Sequence, residues 1–350
     1  MKRFTIFALV AVLLFSICAC GKNDQSQELS IPEVLDEYEG LEDFTIDETK
    51  LPICSFGLQI YDGWIYYLER QSQWVGDSLR KCKLDLSDDT LVREDVEHMS
   101  AYGDYILCRS NENQRYFVIL PDGKIHDLPP AVSGELTAAD PYTVTLYGNK
   151  IFYARIPDDT DDKPTFDLYM TDLLENQTKK ILKDVQNFAI RNGQVVFMRK
   201  GDKSGKLMSY TIESGEENEL ISAKNKDSYP SVSFGGHSTV MQISPQKASI
   251  VEFSDLSKTY EMDLAPNDNM GMSYMFITDE TIYFNAIPAA DDAEAGLDYS
   301  FFGYDRETEQ LTAYEGMDQF DVVIYDGIVY YYDMNGQSLQ SIDLNDAKVK

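Results

Sequence analysis

The chain has 350 residues, of which 43% are hydrophobic and 12% aromatic, a composition typical of folded globular proteins rather than of disordered chains. Its 60 acidic residues outnumber its 30 basic residues and give a net charge of −30 at pH 7. Such a surface repels phosphate backbones, so the charge argues against nucleic acid as a partner. The 23 tyrosines favour β-strands, because aromatic side chains pack well on pleated sheets.

The amino terminus has the three parts of an export signal. Lys2 and Arg3 precede an apolar run over residues 4–17, which is too short to span a bilayer comfortably. Residues 17–21, with the sequence ICACG, resemble the lipobox of bacterial lipoproteins, in which an apolar residue and two small residues precede the lipidated cysteine. The resemblance implies a palmitate-type lipid anchor on Cys20 and a place on the extracytoplasmic face of the cell membrane. An ordinary secretory signal and a short membrane anchor are the alternatives.

The sequence divides into three parts. Residues 1–19 are the predicted signal, residues 20–50 a polar, acidic tether, and residues 51–350 the folded body. Within the tether, residues 44–46 (Phe-Thr-Ile) are the one strand-like patch. An unpaired last strand would expose a sheet edge, so we expect this patch to supply or reinforce the outermost strand of the last repeat.

From about residue 51 the chain repeats a unit of four strands, with tight turns after the first and third strands and a variable loop after the second. The marker turns are at Gly63, Gly103, Gly148, Gly193, Gly236, Glu280 and Gly327, at intervals of 40, 45, 45, 43, 44 and 47 residues. This period predicts an all-β fold, a seven-bladed β-propeller of four-stranded antiparallel blades. A pair of β-sandwiches and a β-solenoid are the alternative folds.

The second strand of the unit is apolar on both sides. In the first unit Trp64, Tyr66 and Leu68 face one way, and Ile65 and Tyr67 face the other. A strand with one exposed face would alternate apolar and charged residues instead. The pattern therefore predicts sheets covered on both faces, and it assigns the aromatic rings to packing between blades.

The repeats resemble the β-propeller units of the low-density-lipoprotein-receptor type, in which a Tyr-Trp-Thr-Asp signature follows a glycine turn. Residues 331–333 (YYD), 152–155 (FYAR) and 66–69 (YYLE) occupy that place. The chain is more similar still to bacterial lipoproteins of unknown function that carry such repeats behind a lipobox. The resemblance covers residues 51–350 and implies a propeller. The receptor family has six units where this chain has seven, so no binding residue is carried over.

Most of the length outside the strands is predicted at one end of the blades. Loops between second and third strands and connections between blades share that end. They cover residues 71–77, 157–165 and 288–300, and residues 129–141, 222–230 and 264–272. Binding residues concentrate in long loops on a rigid scaffold, so we expect protein or peptide binding at this long-loop face. Glycan or cell-wall binding is the alternative, and a carboxylate-based lyase or hydrolase is the third hypothesis.

Four side chains are candidates for ligand binding. Trp74, Tyr229 and Tyr299 lie in the predicted loops, where their rings are suited to stacking on a sugar or gripping a peptide. His237 follows two glycines in a turn, a place from which it would line a central pocket. For each aromatic residue, packing between blades is the competing interpretation.

Two of the predicted loops are acidic. Their carboxylates belong to Asp158 and Asp162 in one loop and to Asp291 and Asp292 in the other. Clustered carboxylates suit calcium, which takes six to eight oxygen ligands. The loops lack the alternating pattern and glycine of a calcium-binding loop, so solvated charge is the favoured interpretation.

The sequence contains no motif of a hydrolase nucleophile, a zinc site or a phosphate-binding loop. We therefore expect a monomeric binding protein without enzymatic activity, cofactor or metal. Cys54, Cys82 and Cys108 each lie in a strand-like run and are expected to be buried thiols, with one disulfide as the alternative.

Overall fold

The computed structural model describes most of the chain from residue 53 to residue 348, and all described residues belong to one compact unit, Val34–Lys350. The described residues are 44, 53–54, 57–61, 63–72, 75–102, 105–120, 122–136, 139, 143–157, 166–201, 204–223, 232–244, 247–263, 270–288, 300–314, 322–333 and 336–348.

These residues form 27 strands and two short helices, and the strands are arranged in six antiparallel sheets. The first sheet has β1 (Ile53–Cys54), β2 (Leu58–Tyr61), β3 (Trp64–Ser72), β4 (Val75–Lys83) and β5 (Thr90–Glu94). The second has β6 (His98–Tyr102), β7 (Tyr105–Arg109), β8 (Tyr116–Ile119) and β9 (Ile125–Asp127), followed by the helix α1 (Pro130–Leu136).

The third sheet has β10 (Thr145–Tyr147), β11 (Lys150–Arg155), β12 (Phe166–Asp172), β13 (Gln177–Arg191), β14 (Gln194–Gly201), β15 (Ser204–Thr211) and β16 (Glu217–Ala223). The fourth has β17 (Val232–Phe234), β18 (Ser238–Gln242), β19 (Lys247–Glu252) and β20 (Asp255–Asp263). The fifth has β21 (Met270–Ile277), β22 (Thr281–Pro288), β23 (Ser300–Asp305) and β24 (Leu311–Tyr314). The sixth has β25 (Val322–Tyr325), β26 (Ile328–Asp333) and β27 (Ser338–Asp343), followed by the helix α2 (Leu344–Ala347).

The strand number per sheet differs from the uniform four that the repeat predicts. The third sheet has seven strands because β13, 15 residues long, belongs to two predicted units at once. Its first part pairs with β12 and its last part with β14, and the pairing changes at register shifts around Val185. Irregular pairing of this kind bends a strand, so the chain passes from the third unit to the fourth without a loop. The first and sixth sheets have five and three strands.

The turns between first and second strands lie where the repeat predicts them. Gly63, Gly148, Gly193 and Gly327 have φ values of 76°, 58°, 70° and 74°, in the left-handed region that favours glycine. Each of these turns is followed by one of the second strands, β3, β11, β14 and β26. Tight turns of this kind match the twist of the strands they join, so the marker glycines set the hairpin positions.

A matched pair of glycine substitutions tests this role of the turns. We expect Gly327→Ala to lower the free energy of unfolding by about 1 kcal/mol, because a Cβ there meets no atom within 4 Å and only the positive φ opposes it. Gly134→Ala, in α1 and equally unobstructed, is expected to raise it by about 0.5–1 kcal/mol. Urea unfolding followed by circular dichroism measures both, and equal changes would contradict the turn argument.

The second strand of the unit is covered on both faces, as predicted. In β11, Ile151 and Tyr153 pack in a cluster with residues of the second unit, whereas Phe152 between them packs in a cluster with Phe197 of the fourth unit. All three β11 side chains are buried, with no exposed surface. Burial of apolar surface stabilises a fold by about 25 cal/mol per Å², so these shared clusters hold the neighbouring sheets together.

Seven such hydrophobic clusters are found among the described residues, and six of them contain side chains of two consecutive units. The remaining cluster joins the two ends of the repeat region. It contains Leu58 and Ile65 of the first sheet together with Val323 and Tyr330 of the sixth. The ring of Tyr330 is 1% exposed, and its hydroxyl donates a hydrogen bond to the carbonyl of Leu84 at 3.0 Å.

Phe44 lies between the second and third units rather than at the last unit, where the sequence predicted it. Its side chain is 4% exposed, and its ring centroid lies 4.9 Å from that of Tyr105 and 5.6 Å from that of His126. Thr45 and Ile46 lie outside the described residues. At the last unit, α2 follows β27 directly and buries Leu344 in the cluster between the fifth and sixth sheets.

Two of the predicted loops are formed largely by regular structure. Residues 71–77 are mostly strand, because β3 continues to Ser72 and β4 begins at Val75. Residues 129–141 contain α1, whose Val132 and Leu136 are buried in the cluster that includes Phe44. Strand pairing in the first stretch and burial of helix side chains in the second make both part of the rigid scaffold, although they were predicted to be loops.

The described cysteines are buried free thiols, as predicted. Cys82 and Cys108 are 2% and 0% exposed. Burial raises the pKa of Cys82 to about 11, and it raises the pKa of Cys108 as well. The side chain of Cys54 lies outside the described residues, so its state stays a prediction.

None of the helices in the described part of the chain has the length and apolarity needed to cross a membrane.

Candidate functional site

Antiparallel pairing divides the connections between strands into two groups. Turns after the first and third strands of a unit lie at one end of its sheet, which we call the turn face. The remaining connections lie at the other end, the long-loop face. The predicted ligand residues Trp74, Tyr229 and Tyr299, the acidic residues Asp158, Asp162, Asp291 and Asp292, and the predicted lipidation site Cys20 all lie outside the described residues.

His237 is the one predicted ligand residue that the structure describes. It lies in the turn between β17 and β18, on the turn face, with 55% of its side chain exposed and its Nε2 3.8 Å from Oδ2 of Asp279. It lines a cavity of about 590 Å³, together with residues 277–281 and 324–327. The cavity lies between three turns, each of which joins the first and second strands of a unit, and the three units are consecutive. His237 therefore lies on the turn face and not on the long-loop face.

A larger groove adjoins this cavity and shares Asp279 and Glu280 with it. It lies between the fourth and fifth sheets, begins at the turns after β19 and β23, and extends along β20 to Asp263. Its volume is about 1090 Å³. We call it the acidic groove, because its lining includes the carboxylates of Glu252, Glu261, Asp263, Asp279, Glu280, Asp305, Glu307 and Glu309.

Some of these carboxylates are engaged within the protein. Glu252 forms an ion pair with Arg306, whose Nη1 also donates to the carbonyl of Asp279 at 2.9 Å. Asp305 accepts hydrogen bonds from the backbone N–H groups of Glu307 and Thr308 at 3.0 and 2.7 Å. Those hydrogen bonds favour the charged form and lower the pKa of Asp305.

Of the other lining carboxylates, Asp279 lies 3.8 Å from His237, and five are free within the described part of the chain. The side chains of Glu261, Asp263, Glu280, Glu307 and Glu309 form no hydrogen bond or ion pair there, and all five residues are exposed. Arg306 is the one lysine or arginine among the residues lining the groove, and its guanidinium is occupied. The groove therefore carries unneutralised negative charge.

Two tyrosines line the same groove. Tyr304 is 7% exposed, packs against the cluster between the fourth and fifth sheets, and has a hydroxyl without a hydrogen-bond partner among the described residues. Burial raises the pKa of Tyr304, and the charges of Glu309 and Asp305 add to that effect. The hydroxyl therefore keeps its proton at neutral pH and can donate a hydrogen bond. Tyr260 is 47% exposed and offers an aromatic face beside the carboxylates.

The sequence did not single out this groove. Its carboxylates come from separate stretches around residues 252, 261, 280 and 307, each of which alone resembles a solvated turn or strand end. The one available signal was the run 305–309 (DRETE), which is charged at four of five positions. In the described residues no group of three His, Cys, Asp or Glu side chains has the geometry to hold a metal ion.

A second polar network lies at the junction of the first and last sheets. The Tyr67 hydroxyl donates to Asp89 at 2.9 Å, and Nε of Arg80 donates to the same carboxylate at 3.1 Å. The adjoining cavity has a volume of about 260 Å³. Burial and the neighbouring carboxylate raise the pKa of Tyr67. The three groups all belong to the first unit and are engaged with one another, so the network stabilises that sheet.

No protein-family model matches the chain, and no curated protein matches it. Several solved structures are similar. A puromycin hydrolase has a TM-score of 0.51 and 10% identity, covering 85% of this chain and 52% of the hydrolase chain. A prolyl endopeptidase has a TM-score of 0.50 and 13% identity, covering 90% of this chain and 50% of the other. The chain thus spans about half the length of these two enzymes.

An uncharacterized protein from Listeria monocytogenes has a TM-score of 0.51 and 13% identity, and the match covers 85% of this chain and 96% of the Listeria chain. At such identities the likeness shows the fold alone. The similar structures are propeller-type proteins, so the chain has an all-β, β-propeller-like fold.

These comparisons contradict the prediction that the chain is not an enzyme. A puromycin hydrolase and a prolyl endopeptidase share the fold, so the fold is not confined to binding proteins. The prediction rested on missing sequence motifs, and motifs record only residues that are close in sequence. A catalytic set assembled from several units would leave no such motif.

Proposed function

We propose that this protein is a lipid-anchored, extracytoplasmic β-propeller of seven blades that binds a protein or peptide partner through its long-loop face. The observation that carries the binding role is the separation of long and short connections between the two ends of the sheets. Turns such as 173–176 and 253–254 keep the turn face compact. At the opposite end the flanking strand ends are far apart in sequence, since β11 ends at Arg155 and β12 begins at Phe166, and β22 ends at Pro288 and β23 begins at Ser300. Long loops held by a rigid scaffold are suited to recognition.

The number of blades is supported by the hydrophobic clusters. Six of the seven clusters join two consecutive units, and the seventh, around Tyr330, joins the last unit to the first. A closed ring removes most exposed sheet edges, which would otherwise pair with other chains. In this proposal β13 supplies the fourth strand of the third blade and the first strand of the fourth blade.

The binding role predicts that shortening the long loops abolishes partner capture. In one variant, residues 289–299 are replaced by Asn-Gly, a sequence suited to a two-residue hairpin turn. We expect a partner that crosslinks to the full chain in its native cells to be lost from this variant, with the thermal unfolding midpoint unchanged.

The matched control replaces Leu174, an exposed residue of the turn face, by serine. That variant is expected to retain the partner. Equal recovery of the partner by the loop variant and the full chain would contradict binding at the long-loop face.

The anchoring role predicts that Cys20→Ala releases the protein from membranes. Without the thiol no lipid is attached at this position, so incorporation of labelled palmitate is expected to disappear and the protein to move to the soluble fraction. Cys18→Ala is the control and is expected to keep both the label and the membrane location. Persistent labelling of the Cys20→Ala variant would place the lipid elsewhere, and absence of labelling in the unaltered protein would exclude it.

A further inference from the structure

We propose that the acidic groove between the fourth and fifth sheets binds a lysine- or arginine-containing peptide segment of a partner protein. This site begins on the turn face and follows the outer strand β20, and its assignment does not depend on the function proposed above.

Charge is the first argument. Five carboxylates that line the groove have no partner in the described part of the chain, and the single arginine is engaged by Glu252 and the Asp279 carbonyl. Carboxylates held close together repel one another, and a cation placed among them relieves that repulsion. The charges also raise the local concentration of cationic ligands and increase their rate of association.

The second argument is Tyr304, whose side chain is more than nine-tenths buried. Its hydroxyl has no hydrogen-bond partner among the described residues and is not among the fully enclosed polar atoms, so it is the accessible end of a side chain that lines the groove. Its neighbours Glu309 and Asp305 line the groove as well. A donor in this position is suited to a carbonyl oxygen of a bound peptide backbone.

Shape and surface distinguish a peptide from a metal ion. The carboxylates are spread along the groove from the turn after β23 to the end of β20, and no group of three in the described residues is arranged to hold a metal. The exposed ring of Tyr260 offers a face for an ammonium or guanidinium group, and the partly exposed Met262 contributes apolar surface for the methylene stem of such a side chain. A volume of about 1090 Å³ accommodates several side chains.

The test uses the full chain and a fluorescent octapeptide of alternating arginine and glycine, with fluorescence polarisation as the readout. The groove variant combines Glu261→Gln, Glu280→Gln and Glu309→Gln. Removing three facing charges is expected to weaken binding by about tenfold or more. Tyr304→Phe, which removes only the hydroxyl, is expected to weaken binding by about fivefold.

Because the whole chain is strongly acidic, a cationic peptide is attracted to it even without a specific site. The control variant therefore removes the same number of negative charges at positions outside the groove. Glu112→Gln, Glu175→Gln and Glu213→Gln remove three exposed carboxylates outside the groove and are expected to change binding by less than about twofold. Equal weakening by both triple variants would overturn the proposal, since it would show attraction by net charge alone. Two other results would overturn the proposal by assigning the groove to another occupant. One is displacement of the peptide by calcium at constant ionic strength. The other is a dimer of the unaltered protein that the groove substitutions convert to monomers.

Discussion

Replacing Tyr330 by alanine is expected to lower the free energy of unfolding by about 3–5 kcal/mol, the range for truncating a large buried aromatic side chain. The ring is 1% exposed and packs with Leu58, Ile65 and Val323 in the cluster that joins the last sheet to the first. The substitution removes that apolar contact, leaves a cavity, and removes the donor to the Leu84 carbonyl. The effect is expected to be large because the substitution removes both an apolar contact and a hydrogen bond from the junction of the first and last sheets.

Two further variants separate the contributions of Tyr330. Tyr330→Phe keeps the ring and removes only the hydrogen bond, so we expect a loss of about 1 kcal/mol. Leu174→Ala, at a position 52% exposed, is expected to change stability by less than about 0.5 kcal/mol. Urea unfolding at pH 7 measures all three variants. If Tyr330→Ala costs no more than Leu174→Ala, the two ends of the repeat region are not joined as described.

Acidification is expected to destabilise the protein through His98. Burial, with the charge of Arg109 adding to it, lowers the pKa of this histidine from 6.5 to about 4. Below pH 6.5 the unfolded chain takes up a proton on this residue, whereas the folded protein does so only near pH 4. Falling pH therefore favours the unfolded state across this window, by about 1.4 kcal/mol per pH unit and about 3 kcal/mol in total.

Urea unfolding at pH 7, 6, 5 and 4.5 measures this dependence. The control is His98→Gln, which has no titrating group at the position and is expected to show a shallower decline. Arg109 stays paired with Glu97 at 2.6 Å in both proteins, so the difference between the two curves reports on the imidazole. Parallel curves for the two proteins would contradict the assignment.

The two proposed sites are at different positions on the fold. At the long-loop face, a partner would bind to connections whose length differs from unit to unit. The acidic groove, in contrast, is formed by strands and turns that belong to the repeat itself. The groove follows from the packing of one sheet against the next, so its shape depends on the same clusters that stabilise the fold. A variant that loosens the cluster around Ile250 and Phe284 is therefore expected to weaken peptide binding along with stability.

Much of the scaffold was predictable from the sequence because its determinants are local. Gly63, Gly148 and Gly327 mark turns, since the left-handed backbone conformation that those turns need is one that glycine adopts readily. The continuous apolar run 151–154 predicts a strand covered on both faces, because alternate side chains point to opposite sides. These properties belong to single segments and can be recognised without knowledge of their neighbours.

Other features depended on which segments meet in the folded protein. Phe44 packs beside Tyr105 and not at the last unit, and β13 continues from one unit into the next because its two halves find different partners. The acidic groove brings together Glu252, Glu280 and Glu309, which are far apart in sequence and carry no shared motif. The sequence by itself determined the repeat, its turns and its two-sided apolar strands. Only the tertiary structure decided which carboxylates line a common groove, because that depends on how neighbouring sheets are packed.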